Sequence, residues 1–208
     1  MPTILITGFG PFPGAPYNPT AALVEKLARA RRPNLRLVGH VFATQYDAVD
    51  RELPALIKQC RPDALLMFGL HGRAQTLRIE TIARNALGRH ADAGGKVPAA
   101  PMILHGAQPQ RRMATPALRL LHAARSAGVR AQLSRDAGSY LCNYLCWQAT
   151  SLIGGKTGLR LGAFIHVPPV ARGSRTGRGL LSPAALEHAA AAILGELARC
   201  LGSAGNRH

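Results

Sequence analysis

Residues 3–20 read TILITGFGPFPGAPYNPT. The apolar opening over 3–7 has the make-up of a buried β-strand, and Asn18-Pro19 sets a capping side chain just before a proline at the first position of a helix. A strand, a glycine-rich turn and a helix in succession begin an α/β fold. The glycines invite comparison with a phosphate cradle, but a dinucleotide fingerprint needs G-x-G-x-x-G with bare backbone N–H groups facing a pyrophosphate. Here they are Gly8, Gly10 and Gly14, so the last falls one residue late. Pro11 and Pro13 have no N–H to offer an anion, and the lysine and hydroxyl of a P-loop do not follow. Nucleotide binding at this loop is rejected. What remains is a stiff turn presenting Phe9 and Phe12 beside a strand end, which suits a flat, mostly apolar ligand. The alternative is that both rings only plug the core.

Outward from this unit, apolar strands and helical patterns alternate along the chain. Strands are expected near 3–7, 35–43, 63–69, 129–133 and 160–167, and helices near 19–31, 46–60, 115–127, 139–153 and 183–201. This is the pattern of a single α/β sheet, largely parallel, with helices on both faces. Thr115-Pro116 and Ser182-Pro183 repeat the helix-start signature of Asn18-Pro19. The stretch 86–112, rich in glycine and proline and without a clear period, reads as an excursion from the sheet. With no internal repeat and no linker, residues 1–208 are expected to form one catalytic domain.

Composition narrows the function classes. With 47% hydrophobic residues the chain is expected to be globular. No apolar run reaches the roughly 20 residues that cross a bilayer, and no signal-peptide pattern opens the chain, so a cytoplasmic location is the default expectation. The four cysteines, Cys60, Cys142, Cys146 and Cys200, lack zinc-finger or redox spacing, so neither a metal nor another cofactor is expected. The formal charge of +16 raises the question of nucleic acid. Of the 26 basic residues, however, only Lys26, Lys58, Lys96 and Lys156 are lysines, and the arginines are scattered along the chain. Their densest group, Arg172, Arg175 and Arg178, lies in a glycine-rich segment read as a mobile loop, so nucleic-acid binding stays a minor hypothesis.

Ligands of open α/β sheets gather at the carboxyl ends of strands, which selects the opening loop, the segment after Met67-Phe68-Gly69, and the residues past Phe164-Ile165. In AGSYLCNYLCW, residues 137–147, Cys142 falls in the first turn of a helix, where unpaired N–H groups and the positive dipole end favour a thiolate. In GAFIHVPP, residues 162–169, His166 closes a strand, the only one of eight histidines to do so. In LRIETIARN, residues 77–85, Glu80 is the only acid. A thiol, an imidazole base and a carboxylate orienting that base make up the machinery of a cysteine protease. The alternatives are a buried cysteine, a satisfied core histidine, and a carboxylate paired with Arg78 or Arg84. Spacing alone does not bring the three residues together.

Taken in order, TGFGPFPGAPYNP, GLHGRAQTLRIETIARN, AGSYLCN and GAFIHVP resemble the pyroglutamyl peptidase I (pyrrolidone-carboxylate peptidase) family over nearly the whole chain. The resemblance implies an α/β/α sandwich, a triad of Glu80, Cys142 and His166, and removal of N-terminal pyroglutamate from peptides. It also implies that Phe9 and Phe12 contact the lactam ring, that Tyr140 is the aromatic residue beside the nucleophile, and that Asn18 shapes the pocket. A homotetramer is implied as well. The chain departs from the family at Thr81, where a basic residue is usual, at Arg84, where an aliphatic one is usual, and at Leu70-His71, in a loop that offers backbone contacts to substrate. Two other readings are carried: a thiol hydrolase of another small cyclic or acyl amide, and a catalytically idle binding homologue.

Overall fold

The computed structural model describes residues 1–155, 157–171 and 180–205. The segment of Arg172, Arg175 and Arg178 lies outside the described residues. In chain order the first elements are β1 (Thr3–Phe9), α1 (Pro19–Arg29), β2 (Arg36–Phe42), α2 (Tyr46–Cys60) and β3 (Ala64–Leu70). Three short strands follow, β4 (Leu77–Glu80), β5 (Ile82–Arg84) and β6 (Gln110–Arg112). The chain then runs through α3 (Ala117–Ser126), β7 (Ala131–Ser134), α4 (Leu141–Leu152), β8 (Leu161–Val167) and α5 (Pro183–Gly205).

Six strands form one sheet in the order β2-β1-β3-β8-β4-β7. β1 is buried along its whole length, and β3 and β8 nearly so, because helices cover both faces; this is why they read as mostly apolar runs. One face packs against α1, α3 and α5 through residues such as Leu23, Leu27, Leu120, Ile193 and Leu197. The other packs against α2 and α4 through Val49, Leu53, Ile57, Leu145 and Trp147. In α2 these apolar positions recur every four residues, so it buries one stripe, whereas α4 is buried on most of its sides. The result is the three-layered α/β/α sandwich.

The expectation of a largely parallel sheet holds for four of its five pairings, and β4 against β8 is antiparallel. The sheet is therefore two parallel blocks running in opposite directions. β4 was not expected as a strand. A four-residue alternation, Leu77 and Ile79 into one core and Arg78 and Glu80 toward the other face, is too short to register as a period. Within 86–112, residues 110–112 pair with β5 in a separate two-stranded sheet, and the rest stays outside regular structure.

The helix-start signatures fare unequally. Asn18 Oδ1 accepts the Thr20 N–H at 3.1 Å, and Ser182 Oγ accepts the Ala185 N–H at 3.1 Å. Thr115-Pro116 does not behave as expected: Pro116 itself is the cap residue, and the Thr115 hydroxyl donates to the Gly162 carbonyl instead. That bond ties the chain entering α3 to β8, a tertiary demand that outcompetes the local cap.

Candidate active site

The carboxyl ends of β1, β3 and β8 lie side by side, with Gly69 of β3 in register with His166 of β8. Strand alternation sends His166 and Phe164 to the α4 side of the sheet, and the antiparallel register sets Arg78 opposite His166 and Glu80 opposite Phe164. Because β4 runs against its neighbour, its carboxylate reaches the histidine from one residue pair deeper in the sheet. His166 Nδ1 donates to Glu80 Oε1 at 2.8 Å, with both side chains almost wholly buried. Cys142 is the imidazole's other neighbour, close enough for its charge to act on the ring.

Burial by itself would depress the His166 pKa. The negative charge of Cys142, the hydrogen bonds with Cys142 and Glu80, and the charge of Glu80 outweigh it and push the imidazole up to about 9. At neutral pH the arrangement thus holds an imidazolium between a carboxylate and a sulfur. Glu80 itself is fully buried, and its Oε2 has no hydrogen-bond partner among the described residues. It is also touched by Arg78, whose Nε lies 3.5 Å from Oε1. Arg84, the other cation considered as its partner, pairs with Asp136 at 2.7 Å instead.

Cys142 is the second residue of α4 and the only cysteine of the four that is partly exposed. No side chain caps this helix, so the N–H groups of its first turn stay directed at the site. The approach to the helix is held open by Gly138, at φ 82°, whose N–H donates to Asp136 Oδ1 at 2.9 Å. Asn143 then ties the helix to the chain after Glu80. Its Oδ1 accepts the Arg84 N–H at 2.8 Å, and its Nδ2 donates to the carbonyls of Arg84 at 2.8 Å and Ala86 at 3.0 Å. One turn on, Cys146 is completely buried, and burial, then Cys142 and Glu80, hold its thiol far above the ordinary range.

The opening loop sits beside this centre. Asn18 Nδ2 donates to the Gly10 carbonyl at 3.1 Å and Thr44 Oγ1 donates to the same carbonyl at 3.0 Å. Asn18 is thereby both helix cap and loop anchor. Phe9 is only 2% exposed and packs on Phe42 at 6.0 Å between ring centroids, with its N–H bound by Thr20 Oγ1. Phe12, half-buried at the turn, faces Tyr140 at 6.1 Å. Tyr140 is the cap residue of α4, and its hydroxyl donates to the Ala91 carbonyl at 2.9 Å, so the irregular stretch 86–107 forms one flank of the site.

A family model described as pyroglutamyl peptidase matches residues 2–195. The chain belongs to the pyroglutamyl peptidase family. It is a cysteine peptidase by that membership. A pyrrolidone-carboxylate peptidase 1 of Ralstonia nicotianae is 31% identical over 169 residues, 81% of this chain and 79% of the relative. A pyrrolidone-carboxylate peptidase of Pyrococcus furiosus is 28% identical over 86% of this chain and 88% of its own. Among solved structures, the pyrrolidone carboxyl peptidase of Thermococcus litoralis superposes with a TM-score of 0.86 at 25% identity, covering 98% of this chain and 96% of that one.

The departures from the family pattern have local explanations. Thr81, where the resemblance leads one to expect a basic residue, turns inward: its N–H and Oγ1 both donate to the Ser134 carbonyl at 2.8 Å, closing the end of β4 on β7. Arg84 reaches out to Asp136 beside the nucleophile's loop. His71 lies edge-on to His166, 5.3 Å between ring centroids. Two residues that matter here were not singled out for a role at the site. Gly69 is one: a Cβ there would stand 2.6 Å from Cys142 Sγ and 2.6 Å from Phe164 Cζ. Its position at a strand end was the available signal. Arg78 is the other, and its alternation with Glu80 in LRIE was the signal.

Proposed function

We propose that the chain is a cysteine exopeptidase that removes an N-terminal pyroglutamyl residue from peptides, using Cys142, His166 and Glu80. The observation that carries this reading is the buried Glu80–His166 hydrogen bond with Cys142 beside the imidazole at the start of an uncapped helix, in a member of this family. The Cys142 thiolate attacks the carbonyl carbon of the pyroglutamyl residue, forming a C–S bond. As the C–N bond breaks, His166 gives its proton to the departing amine. His166 then takes a proton from water, whose oxygen attacks the thioester. The C–S bond breaks and pyroglutamate leaves with the thiolate restored. Glu80 keeps the imidazole in one orientation and stabilises its charged form. The first-turn N–H groups of α4 face the developing oxyanion, a role worth several kcal/mol in acyl transfer.

The lactam ring is assigned to the side of the touching pair Phe12 and Tyr140 that faces the nucleophile, with Phe9 as its buried backing and Asn18 holding the loop in place. A neutral ring suits this apolar wall, whereas the charged ammonium of an open-chain glutamyl residue would lose hydration without a partner. The test is hydrolysis of a fluorogenic pyroglutamyl amide with and without iodoacetamide, alongside prolyl and glutaminyl amides. Turnover of the pyroglutamyl amide that vanishes on alkylation supports the reading. A folded protein that cleaves none of these, or cleaves the prolyl and glutaminyl amides as fast, refutes it.

A further inference from the structure

A second layer of polar side chains backs the reacting pair, and its centre is Arg78. Its guanidinium reaches four groups on three sides. Nη1 donates to His71 Nε2 at 3.2 Å. Nη2 donates to Ser134 Oγ at 2.6 Å and to the Asp136 carbonyl at 3.1 Å. Nε, which makes no hydrogen bond among the described residues, lies 3.5 Å from Glu80 Oε1, the same oxygen that accepts from His166, so this contact is an ion pair only. Only 22% of this side chain is exposed, so solvent screens these contacts little. Arginine has no acceptor, so His71 Nε2 must present a lone pair, which makes His71 a neutral imidazole. That neutral ring stands edge-on to His166. Its backbone is fixed too, with the His71 N–H donating to the Val167 carbonyl at 2.9 Å.

We propose that Arg78 is a positioning residue for the reaction: it clamps Glu80 from behind and braces the neutral His71 against His166, so that the carboxylate and the imidazole keep their geometry toward Cys142. The inference rests on the reading of Cys142 and His166 as the reacting pair. The local charge balance supports it. Beside His166, the fully buried carboxyl of Glu80 meets one further cationic side chain among the described residues, Arg78. The charged and titratable groups around His71 are His166 from β8, Arg78 and Glu80 from β4, and, beyond Arg78, the chain at Ser134 and Asp136. Burial, then His166 and Arg78, keep the His71 pKa below its ordinary value, in agreement with the acceptor role that the geometry requires.

The experiment measures the rate of Cys142 alkylation by iodoacetamide against pH, which needs no substrate. It is paired with kcat and KM on a pyroglutamyl amide and with a melting curve. Arg78→Met is expected to move the alkylation midpoint upward by about one pH unit, the size of effect that a lost charge partner produces. It should also lower kcat about tenfold or more with a smaller change in KM. Arg78→Lys, which keeps the charge but lacks a fork that can reach His71, Ser134 and Glu80 together, is expected to fall between Met and the parent. His71→Leu should shift the midpoint in the same direction, and His71→Gln, which retains an acceptor, should recover most of that shift. A midpoint unmoved in folded Arg78→Met, with only the melting temperature lowered, overturns the proposal. A parent protein with no rapidly alkylated thiol would instead refute the Cys142–His166 reading beneath it.

Discussion

Gly69→Ala adds a single methyl group directly beneath the nucleophile. The added Cβ would sit 2.6 Å from Cys142 Sγ, 2.6 Å from Phe164 Cζ and 3.1 Å from Phe164 Cε1. Unstrained contacts between such atoms lie near 3.5–4.0 Å, so the sulfur, the ring or the strand must yield by about 1 Å. Phe164 is fully buried in the core between the sheet and α4 and cannot swing away without displacing its neighbours. The smaller adjustment is for Cys142 to turn its sulfur away from β3, and the sulfur then leaves His166. A 1 Å misplacement of a reacting atom costs about a hundredfold in rate, equivalent to about 2.7 kcal/mol in the barrier. Overpacking of this kind costs roughly 1–3 kcal/mol of stability, which for a chain of this size lowers the melting temperature by several degrees without unfolding it. Gly69→Ala is therefore expected to remain folded at 25 °C while kcat/KM on a pyroglutamyl amide and the rate of Cys142 alkylation fall together. A folded Gly69→Ala protein with the parent's kcat/KM and alkylation rate would refute the reasoning, since the sulfur would then have had room that the geometry denies it.

Three further outcomes are expected. Cys142→Ser should abolish turnover and the fast phase of alkylation, whereas Cys146→Ser, at a buried thiol held protonated by its surroundings, should leave the fast phase intact; alkylation followed by peptide mapping distinguishes the two. The His166 imidazole should titrate near 9 by NMR in the parent and lower in Cys142→Ser, which removes two of the causes that raise it. Because this value lies above that of an unfolded histidine, near 6.5, the imidazolium's contribution to stability is complete below about 6.5 and is lost as pH rises through about 9. Proton donation to the leaving amine should fail over the same upper range, giving kcat an alkaline limb. Thr7→Val should be neutral or stabilising by about 1 kcal/mol in a thermal melt, because the Thr7 hydroxyl is wholly buried with no hydrogen-bond partner among the described residues.

The layered α/β architecture and the long strands β1, β3 and β8 were legible because a strand buried on both faces is apolar along most of its length, a property of composition alone. The starts of α1 and α5 were legible for a similarly local reason, since a cap bond spans only two or three residues. The placing of Cys142 in the first turn of α4 came from the same kind of signal, a glycine before an apolar helical pattern. Glu80, Cys142 and His166 could be nominated from their neighbourhoods and from the family resemblance. Their meeting could not, because 86 residues separate Glu80 from His166 and only the sheet order β8-β4 makes them neighbours. The antiparallel course of β4 was equally invisible, since four alternating residues carry no direction, yet that course puts Arg78 opposite His166 and lets Glu80 reach it from below. Gly69 and His71 show the limit most sharply. What a missing Cβ makes room for, and which ring an imidazole edge meets, are contacts between segments far apart in the chain, so the tertiary structure alone decided them.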